Sequence, residues 1–166
     1  MLFRSLEASS AENFSKAIAR TDARQVIYLS GLSHESSLSE HMGSRQRVEE
    51  ILRAGSVPVT TLCAGIVIGS GSASFEIVRD LVEKLPVMVA PRWVSSRCQP
   101  IAIADVLYYL EAVLMHEDCL GETFEIGGPD VLSYKEMLLE LANVRGLKRW
   151  IVPVPVLTPY LSSLWL

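Results

Sequence analysis

The sequence predicts an α/β fold built on a mainly parallel sheet with flanking helices. Short apolar runs typical of strands alternate with amphipathic stretches of about ten to fifteen residues, which is the pattern of βαβ units. The run Val26–Gly31 is apolar at most positions, as in a strand buried on both faces of a parallel sheet. In sheets that bind nucleotides a glycine-rich turn follows the first strand, and no such turn precedes this run. We therefore expect a partial sheet whose first half is missing.

The first third of the chain predicts two helices around one strand. Residues 5–20 carry apolar side chains at helical spacing, and a strand over 25–30 and a polar loop over 33–39 follow. Residues 41–54 predict a second helix, whose inward side chains are Val48, Ile51 and Leu52. Gly55 is expected to end this helix in a left-handed conformation.

The middle of the chain predicts a long strand, a helix and a short strand. Residues 57–62 begin a strand that is expected to continue through 64–68. A helix over 72–85 follows, because its apolar residues recur at helical spacing. A short strand over 87–89 is closed by Pro91.

The last third predicts two helices and one strand. A helix is expected over 105–115, with Asp105 as its N-cap, and a strand over 123–126. Ser133 and Glu136 have the spacing of a capping box, which would open a helix that runs to about residue 145 and ends at Gly146. The apolar, proline-rich last twenty residues predict no regular element.

Composition excludes several classes of function. The 166 residues are 49% hydrophobic and carry a net charge of −4, without the basic patch that nucleic-acid binding requires. Charged residues and prolines interrupt every apolar run before it reaches the ~20 residues of a membrane span. No signal peptide is visible, and the chain is expected to be cytoplasmic.

Metal and disulfide chemistry are not indicated. The three cysteines are far apart and form no C-x-x-C pair, so we expect reduced, structural thiols at Cys63, Cys98 and Cys119. The three histidines share no metal-ligand spacing with them, and no metal site is expected.

The segment Gly69–Ser74 nearly matches the dinucleotide fingerprint G-x-G-x-x-G, with Ser74 in the third glycine position. It follows a strand and opens a helix, where backbone N–H groups can receive a phosphate. However, no acidic residue ends a strand about 20 residues later to hold a ribose. A loop lining a ligand cleft is the favoured interpretation.

Two groups of side chains are candidates for a site. His41 and Arg45 are four residues apart on one helix face, where Arg45 would donate to a ribose or phosphate and His41 would donate a proton. The alternative is that both lie on a solvated face. Arg92, Trp93 and Arg97 would bind an anionic or carbonyl-bearing substrate, or would instead cover apolar surface.

With these residues in view, the chain resembles the extended and atypical short-chain dehydrogenase/reductase superfamily, near its NmrA-like and nucleoside-diphosphate-sugar-epimerase-like branch. The resemblance implies a partial Rossmann-like fold, with residues 1–166 as a single C-terminal portion of an NAD(P)-binding domain truncated at both ends. The segments that carry it are 26–31, 41–52, 57–69, 99–106 and 124–128.

The resemblance also implies roles for particular residues. The family's Tyr-x-x-x-Lys pair falls on His41 and Arg45, so Arg45 would contact the nicotinamide ribose, while the usual tyrosine acid is replaced by His41. The family's serine region falls on Ser30 and Gly31. The strand end that faces the nicotinamide falls on Ala64, Gly65 and Ile66.

The implied cofactor is NAD or NADP, and the implied reaction is that of a reductase or nucleotide-sugar-epimerase-like oxidoreductase with an unknown small-molecule substrate. The alternatives are a non-catalytic dinucleotide-binding regulatory or assembly module, or an inactive fragment. Because the Gly-rich turn is absent, we expect the chain alone not to bind NAD(P) tightly. An exposed sheet edge would favour self-association.

Overall fold

The computed structural model describes the backbone of residues 2–32 and 40–154, and the side chains of residues 6–32 and 43–154. The predicted loop over 33–39 and the tail over 155–166 lie outside the described residues. The described part has five α-helices: α1 Leu2–Ile18, α2 Glu40–Arg53, α3 Ala73–Lys84, α4 Ile103–Ala112 and α5 Tyr134–Val144. None of the described helices is both long and apolar enough to cross a membrane.

Nine strands accompany these helices in the described part of the chain: β1 Val26–Gly31, β2 Val59–Ala64, β3 Val67–Ile68, β4 Val87–Pro91, β5 Arg97–Cys98, β6 Ile101–Ala102, β7 Thr123–Ile126, β8 Leu132–Ser133 and β9 Trp150–Val154. The chain divides into two compact units. The first unit comprises Met1–Gly65 and Ile103–Gly127, and the second comprises Ile66–Ala102 and Gly128–Leu166.

The first unit contains a three-stranded parallel sheet in the order β1-β2-β7. The central strand β2 is buried at five of its six positions, which explains its apolar sequence. Beside the sheet, Ala11 of α1, Leu52 of α2 and Val59 of β2 form a buried apolar cluster. The predicted α/β class with mainly parallel strands is therefore confirmed.

A polar network fixes α2 over the sheet of the first unit. The Glu49 carboxylate accepts hydrogen bonds from Arg53 Nε at 3.0 Å, Thr61 Oγ1 at 2.9 Å and Thr123 Oγ1 at 3.2 Å. Arg53 also donates to the carbonyl oxygen of Gly121 at 2.6 Å. Because these partners lie on β2, β7 and the preceding loop, the network sets the position of α2 along the strands.

The second unit is built on three strand pairs. β3 pairs with β6 and β4 with β9 in parallel, whereas β5 pairs with β8 antiparallel. Its core packs α3 and α5 against β4 around the buried side chains Val82, Met88, Val94, Leu138 and Ala142. The helices predicted over 72–85 and 133–145 are confirmed, and Gly146 has the expected left-handed φ of 67°.

Two strand predictions were wrong. The strand expected through residues 64–68 ends at Ala64, because its neighbours end opposite that residue, at Gly31 of β1 and Ile126 of β7. The last twenty residues, predicted to form no element, contain β9. Proline has no backbone N–H group to donate. β9 can contain Pro153 because, among the described strands, it pairs only with β4, so one side of the strand needs no donor.

Two helix-end predictions were also wrong. Gly55 does not have a positive φ. Space at this position is limited, since a Cβ there would lie 2.7 Å from Ser15 Oγ of α1 and 3.1 Å from the Leu52 carbonyl oxygen. Asp105 does not cap α4, which already begins at Ile103. Instead it lies in the first turn, where the helix dipole favours an acidic side chain.

The capping box of α5 provides a test of the second unit. Ser133 Oγ accepts from Glu136 N at 3.2 Å, and the Glu136 carboxylate accepts from Ser133 N at 2.6 Å. The pKa of Glu136 lies below its usual value, mainly because its carboxylate accepts a hydrogen bond from the Ser133 backbone N–H, and secondly because it accepts one from the Ser133 hydroxyl. The stabilisation is therefore complete above the unfolded-state pKa and is lost as pH falls through the folded-state pKa.

We expect Ser133→Ala to lower the free energy of unfolding by about 1 kcal/mol at neutral pH, and the difference from wild type to shrink in acid. Urea unfolding at a series of pH values measures this. Ser72→Ala is the matched control, because Ser72 caps α3 through Phe75 N alone. Alanine keeps the backbone N–H, so a cost that stays constant down to pH 3 would contradict the contribution of the bond that the Ser133 hydroxyl donates to the Glu136 carboxylate at 2.8 Å.

Candidate functional site

The carboxyl ends of β1 and β2 bring together three of the predicted site residues. Ser30 lies opposite Cys63, and Gly31 lies opposite Ala64, in the parallel register. Leu32 N donates to the Ala64 carbonyl oxygen at 2.9 Å, which holds the two strand ends side by side. In open α/β sheets, ligands bind outside the carboxyl ends of the strands. This edge is therefore the place where a site is expected.

Arg45 of α2 lies over this edge. A Cβ placed on Gly31 would be 3.3 Å from Arg45 Nη1 and 4.0 Å from Arg45 Cζ, so the guanidinium lies against the backbone at the end of β1. The Arg45 side chain is exposed. Among the described side chains and carbonyls, none accepts a hydrogen bond from it; a guanidinium presents a fixed fork of donors that suits anionic or hydroxyl-bearing groups.

Tyr28 is a polar neighbour of this site that the sequence analysis did not single out. Its side chain is half-buried. Burial raises the pKa of Tyr28, while Ser30 and the positive charge of Arg45 oppose this rise. Strand alternation was the available signal, since it places Tyr28 and Ser30 on one face of β1.

Cys63 lies on the same strand end, and its side chain is half-buried. Burial, followed by the negative charges of Glu49 and Glu125, raises the pKa of Cys63. A thiol whose pKa is raised is a poor nucleophile at neutral pH. All three cysteines are free. Within residues 2–32 and 40–154, no group of three His, Cys, Asp or Glu side chains is placed to hold a metal ion.

His41 lies in the first turn of α2, one turn before Arg45. Its side chain lies outside the described residues, so only the helical spacing relates it to the site.

The last two predicted residues of the strand end fall in different units. Gly65 is the last residue of the first segment of the first unit, and Ile66 belongs to the second unit. There the Ile66 carbonyl oxygen accepts from Ile101 N at 2.9 Å.

The predicted substrate-side residues lie in the second unit. Arg92 is in a 3₁₀ turn over Arg92–Ser95, and Arg97 lies on β5 opposite Ser133; both side chains are exposed. Between them in sequence, Trp93 makes an edge-to-face contact with Tyr134, with ring centroids 5.5 Å apart. The unit thus presents two cations beside an aromatic pair.

The glycine-rich segment at 69–74 has a local structural role. Gly71 has a φ of 85°, and Ser72 accepts from Phe75 N to cap α3. The left-handed backbone explains the glycine at position 71, and the helix cap explains the serine at position 72.

Comparison with protein-family models and with curated protein sequences finds no match. Solved structures do match. The dTDP-4-dehydrorhamnose reductase from Bacillus anthracis in complex with NADP matches with a TM-score of 0.76 and 16% identity over 92% of this chain. The UDP-glucuronic acid 4-epimerase from Bacillus cereus, in complex with UDP-glucuronic acid and NAD, matches with a TM-score of 0.69 and 14% identity over 90%. The UDP-glucose 4-epimerase from Thermus thermophilus in complex with NAD gives 0.65 and 16% over 93%.

This chain covers 60%, 54% and 62%, respectively, of those three chains, and so spans little more than half of their length. At this level of identity the matches show the fold. The predicted partial Rossmann-like fold is therefore confirmed, as a fold that this chain shares in part with those epimerases and that reductase. The narrower NmrA-like likeness stays a prediction.

Proposed function

We propose that this chain provides the nicotinamide side of an NAD(P)-binding, short-chain-dehydrogenase-like oxidoreductase that acts as a reductase or on nucleotide sugars. The observation that carries the proposal is the position of Arg45. Its guanidinium lies against Gly31 at the carboxyl ends of β1 and β2, and the side chain is exposed and has no acceptor among the described residues. The matched structures, which contain NAD or NADP, support this choice of ligand.

The residues present fit one half of such a dinucleotide. Arg45 would donate hydrogen bonds to the hydroxyls of the nicotinamide ribose, and Gly31 leaves room for its guanidinium. Ser30 would offer a hydroxyl to the ring or the substrate, and Ala64, Gly65 and Ile66 would line the ring. The sequence has no partner for the pyrophosphate after a first strand, so affinity would depend on a segment beyond this chain.

When bound, the dinucleotide supplies a hydride donor or acceptor. His41, one helical turn from Arg45, would hold the proton that a substrate oxygen gains or loses, because imidazole titrates near neutrality. Arg92 and Arg97 would bind the anionic part of the substrate. Sugar nucleotides carry such a group, and the Bacillus cereus epimerase was solved with UDP-glucuronic acid.

A second candidate is a dinucleotide-binding module without catalysis. It is favoured by the replacement of the family's tyrosine with His41, because the usual proton donor is then absent. The two candidates share the Arg45 contact and differ only in turnover.

We expect Arg45→Ala to weaken binding of nicotinamide mononucleotide by about 1–3 kcal/mol, the scale of losing hydrogen bonds to a charged group. This ligand carries the nicotinamide ribose but not the adenosine half, so it tests the residues of this chain. NMR titration of the 166-residue chain measures the dissociation constant. Arg47→Ala is the matched control, since Arg47 pairs with Glu50 on the same helix. Unchanged binding in Arg45→Ala would refute the assignment of Arg45.

A further inference from the structure

One face of the β4–β9 strand pair in the second unit is apolar and exposed. In the parallel register, Val87 lies opposite Trp150 and Val89 lies opposite Val152. Because side chains alternate along a strand, these four residues point to the same side of the pair. All four are exposed, from 37% at Val89 to 72% at Trp150. We call this surface the β4–β9 face.

The opposite side of the same two strands is the core of the second unit. Met88 of β4 is 4% exposed, and its neighbour Ile151 of β9 packs against the same apolar cluster. Parallel strands occur in sheets that are covered on both faces, whereas a solvated face normally carries polar side chains. The β4–β9 face carries three valines and a tryptophan instead. Its composition is therefore that of a surface that another segment covers.

The chain continues from β9 into a segment whose composition suits this face. β9 ends at Val154, and residues 155–166 follow in the same unit. These twelve residues contain no charged side chain. Seven of them are apolar: Val156, Leu157, Tyr160, Leu161, Leu164, Trp165 and Leu166.

Covalent attachment favours this segment over a second copy of the chain as the occupant. Trp150 lies four residues before Val154, which is about 13 Å along a strand, so a few residues of returning chain can span the face. An attached segment binds at a high effective concentration. A second copy would have to lose translational and rotational freedom, and both copies carry a net charge of −4.

We propose that residues 155–166 fold back over the β4–β9 face and cover Val87, Val89, Trp150 and Val152. The segment would then complete the second unit on the side opposite α3 and α5. This docking requires no ligand and does not depend on the function of the Arg45 site.

The test is Val152→Asp in the full 166-residue chain, with anilinonaphthalene sulfonate as the dye that reports exposed apolar surface. Beneath a docked segment the aspartate would be buried without a partner and would release the segment. We therefore expect dye fluorescence to rise and the unfolding equilibrium constant, measured in urea, to increase about 10-fold or more. On an uncovered face the same substitution would only remove apolar surface, so dye fluorescence would fall and stability would stay nearly constant. That result would overturn the proposal.

Val131→Asp is the matched control. Val131 is 49% exposed, close to the 48% of Val152, and lies in the same unit but outside β4 and β9. This substitution should change the unfolding equilibrium constant by about 2-fold at most and should not raise dye fluorescence.

A second measurement uses the wild-type chain and decides the question even if Val152→Asp does not fold. Nuclear Overhauser effects are expected between the Trp150 indole and the methyl groups of Leu157, Leu161 or Leu164. In a mixture of labelled and unlabelled protein, isotope filtering distinguishes contacts within one chain from contacts between chains. Contacts between chains would assign the face to a second copy, and the absence of any such contact would leave the face uncovered; either result overturns the proposal.

Discussion

Gly128→Ala is expected to lower the free energy of unfolding of the second unit by about 2–3 kcal/mol, the cost of forcing an extra group into a packed site. A Cβ on residue 128 would come closer than 3.0 Å to the Pro100 carbonyl oxygen, a backbone atom that cannot move aside alone. That same oxygen accepts a hydrogen bond from Gly128 N at 3.0 Å. Gln99 Nε2 donates to the Gly128 carbonyl oxygen at 2.5 Å. The added methyl group would therefore disturb two hydrogen bonds as well as the packing.

Chemical denaturation followed by circular dichroism measures the loss. Gly71→Ala is the matched control, since a Cβ there meets nothing within 4 Å but must adopt a φ of 85°. We expect that substitution to cost about 1–2 kcal/mol through backbone strain alone. If Gly128→Ala were no more destabilising than Gly71→Ala, the close approach to Pro100 would not be a determinant of stability.

The alternation of apolar runs with helical stretches was enough to predict the parallel strands of the first unit. β1 and α2 match their predicted ranges within two residues, because each has one strong local signal: a continuous apolar run or a helical stripe. Where an element ends depends instead on its neighbours. β2 stops at Ala64 because β1 and β7 stop there, and a single sequence contains no information about those partners.

The prolines near the end of the chain misled the prediction for a related reason. Pro153 argues against a central strand, yet β9 has one strand neighbour in the described part of the chain and tolerates it. Whether a strand is central or at an edge is a property of the sheet. Gly55 and Gly128 show the same limit, since neither has a positive φ and the space around each is set by residues distant in sequence, Ser15 and Pro100.

The candidate site was partly predictable. Topology brings Ser30, Gly31, Ala64 and Arg45 together, as expected of residues at the carboxyl ends of adjacent parallel strands and on the helix that connects them. Tyr28, which strand alternation places on the same face of β1 as Ser30, was not among the predicted residues. The roles of Arg92 and Arg97 stay predictions, as does self-association through the outer edge of β1.

Replacing His41 by phenylalanine is expected to separate catalysis from binding. If His41 is the acid of the proposed oxidoreductase, His41→Phe should lower turnover about 100-fold or more and leave dinucleotide affinity nearly unchanged. The physical reason is that an imidazole can transfer a proton near neutral pH whereas a benzyl group cannot. Arg45→Ala should show the opposite pattern, because a lost ribose contact weakens binding first.

The measurement requires a longer protein in which the first half of the sheet is supplied. At saturating cofactor and with a panel of nucleotide sugars, reductase turnover is followed by the absorbance of NAD(P)H and epimerase turnover, which changes no net NAD(P)H, by NMR of the sugar products; affinity is measured by calorimetry. His116→Phe is the matched control, since His116 is exposed in the first unit and follows α4 rather than preceding Arg45. Undiminished turnover in His41→Phe would remove His41 from the mechanism. Dinucleotide binding in a wild-type protein that turns over no sugar nucleotide would favour the non-catalytic module instead, because Arg45 would then hold a ligand that no neighbouring acid can use.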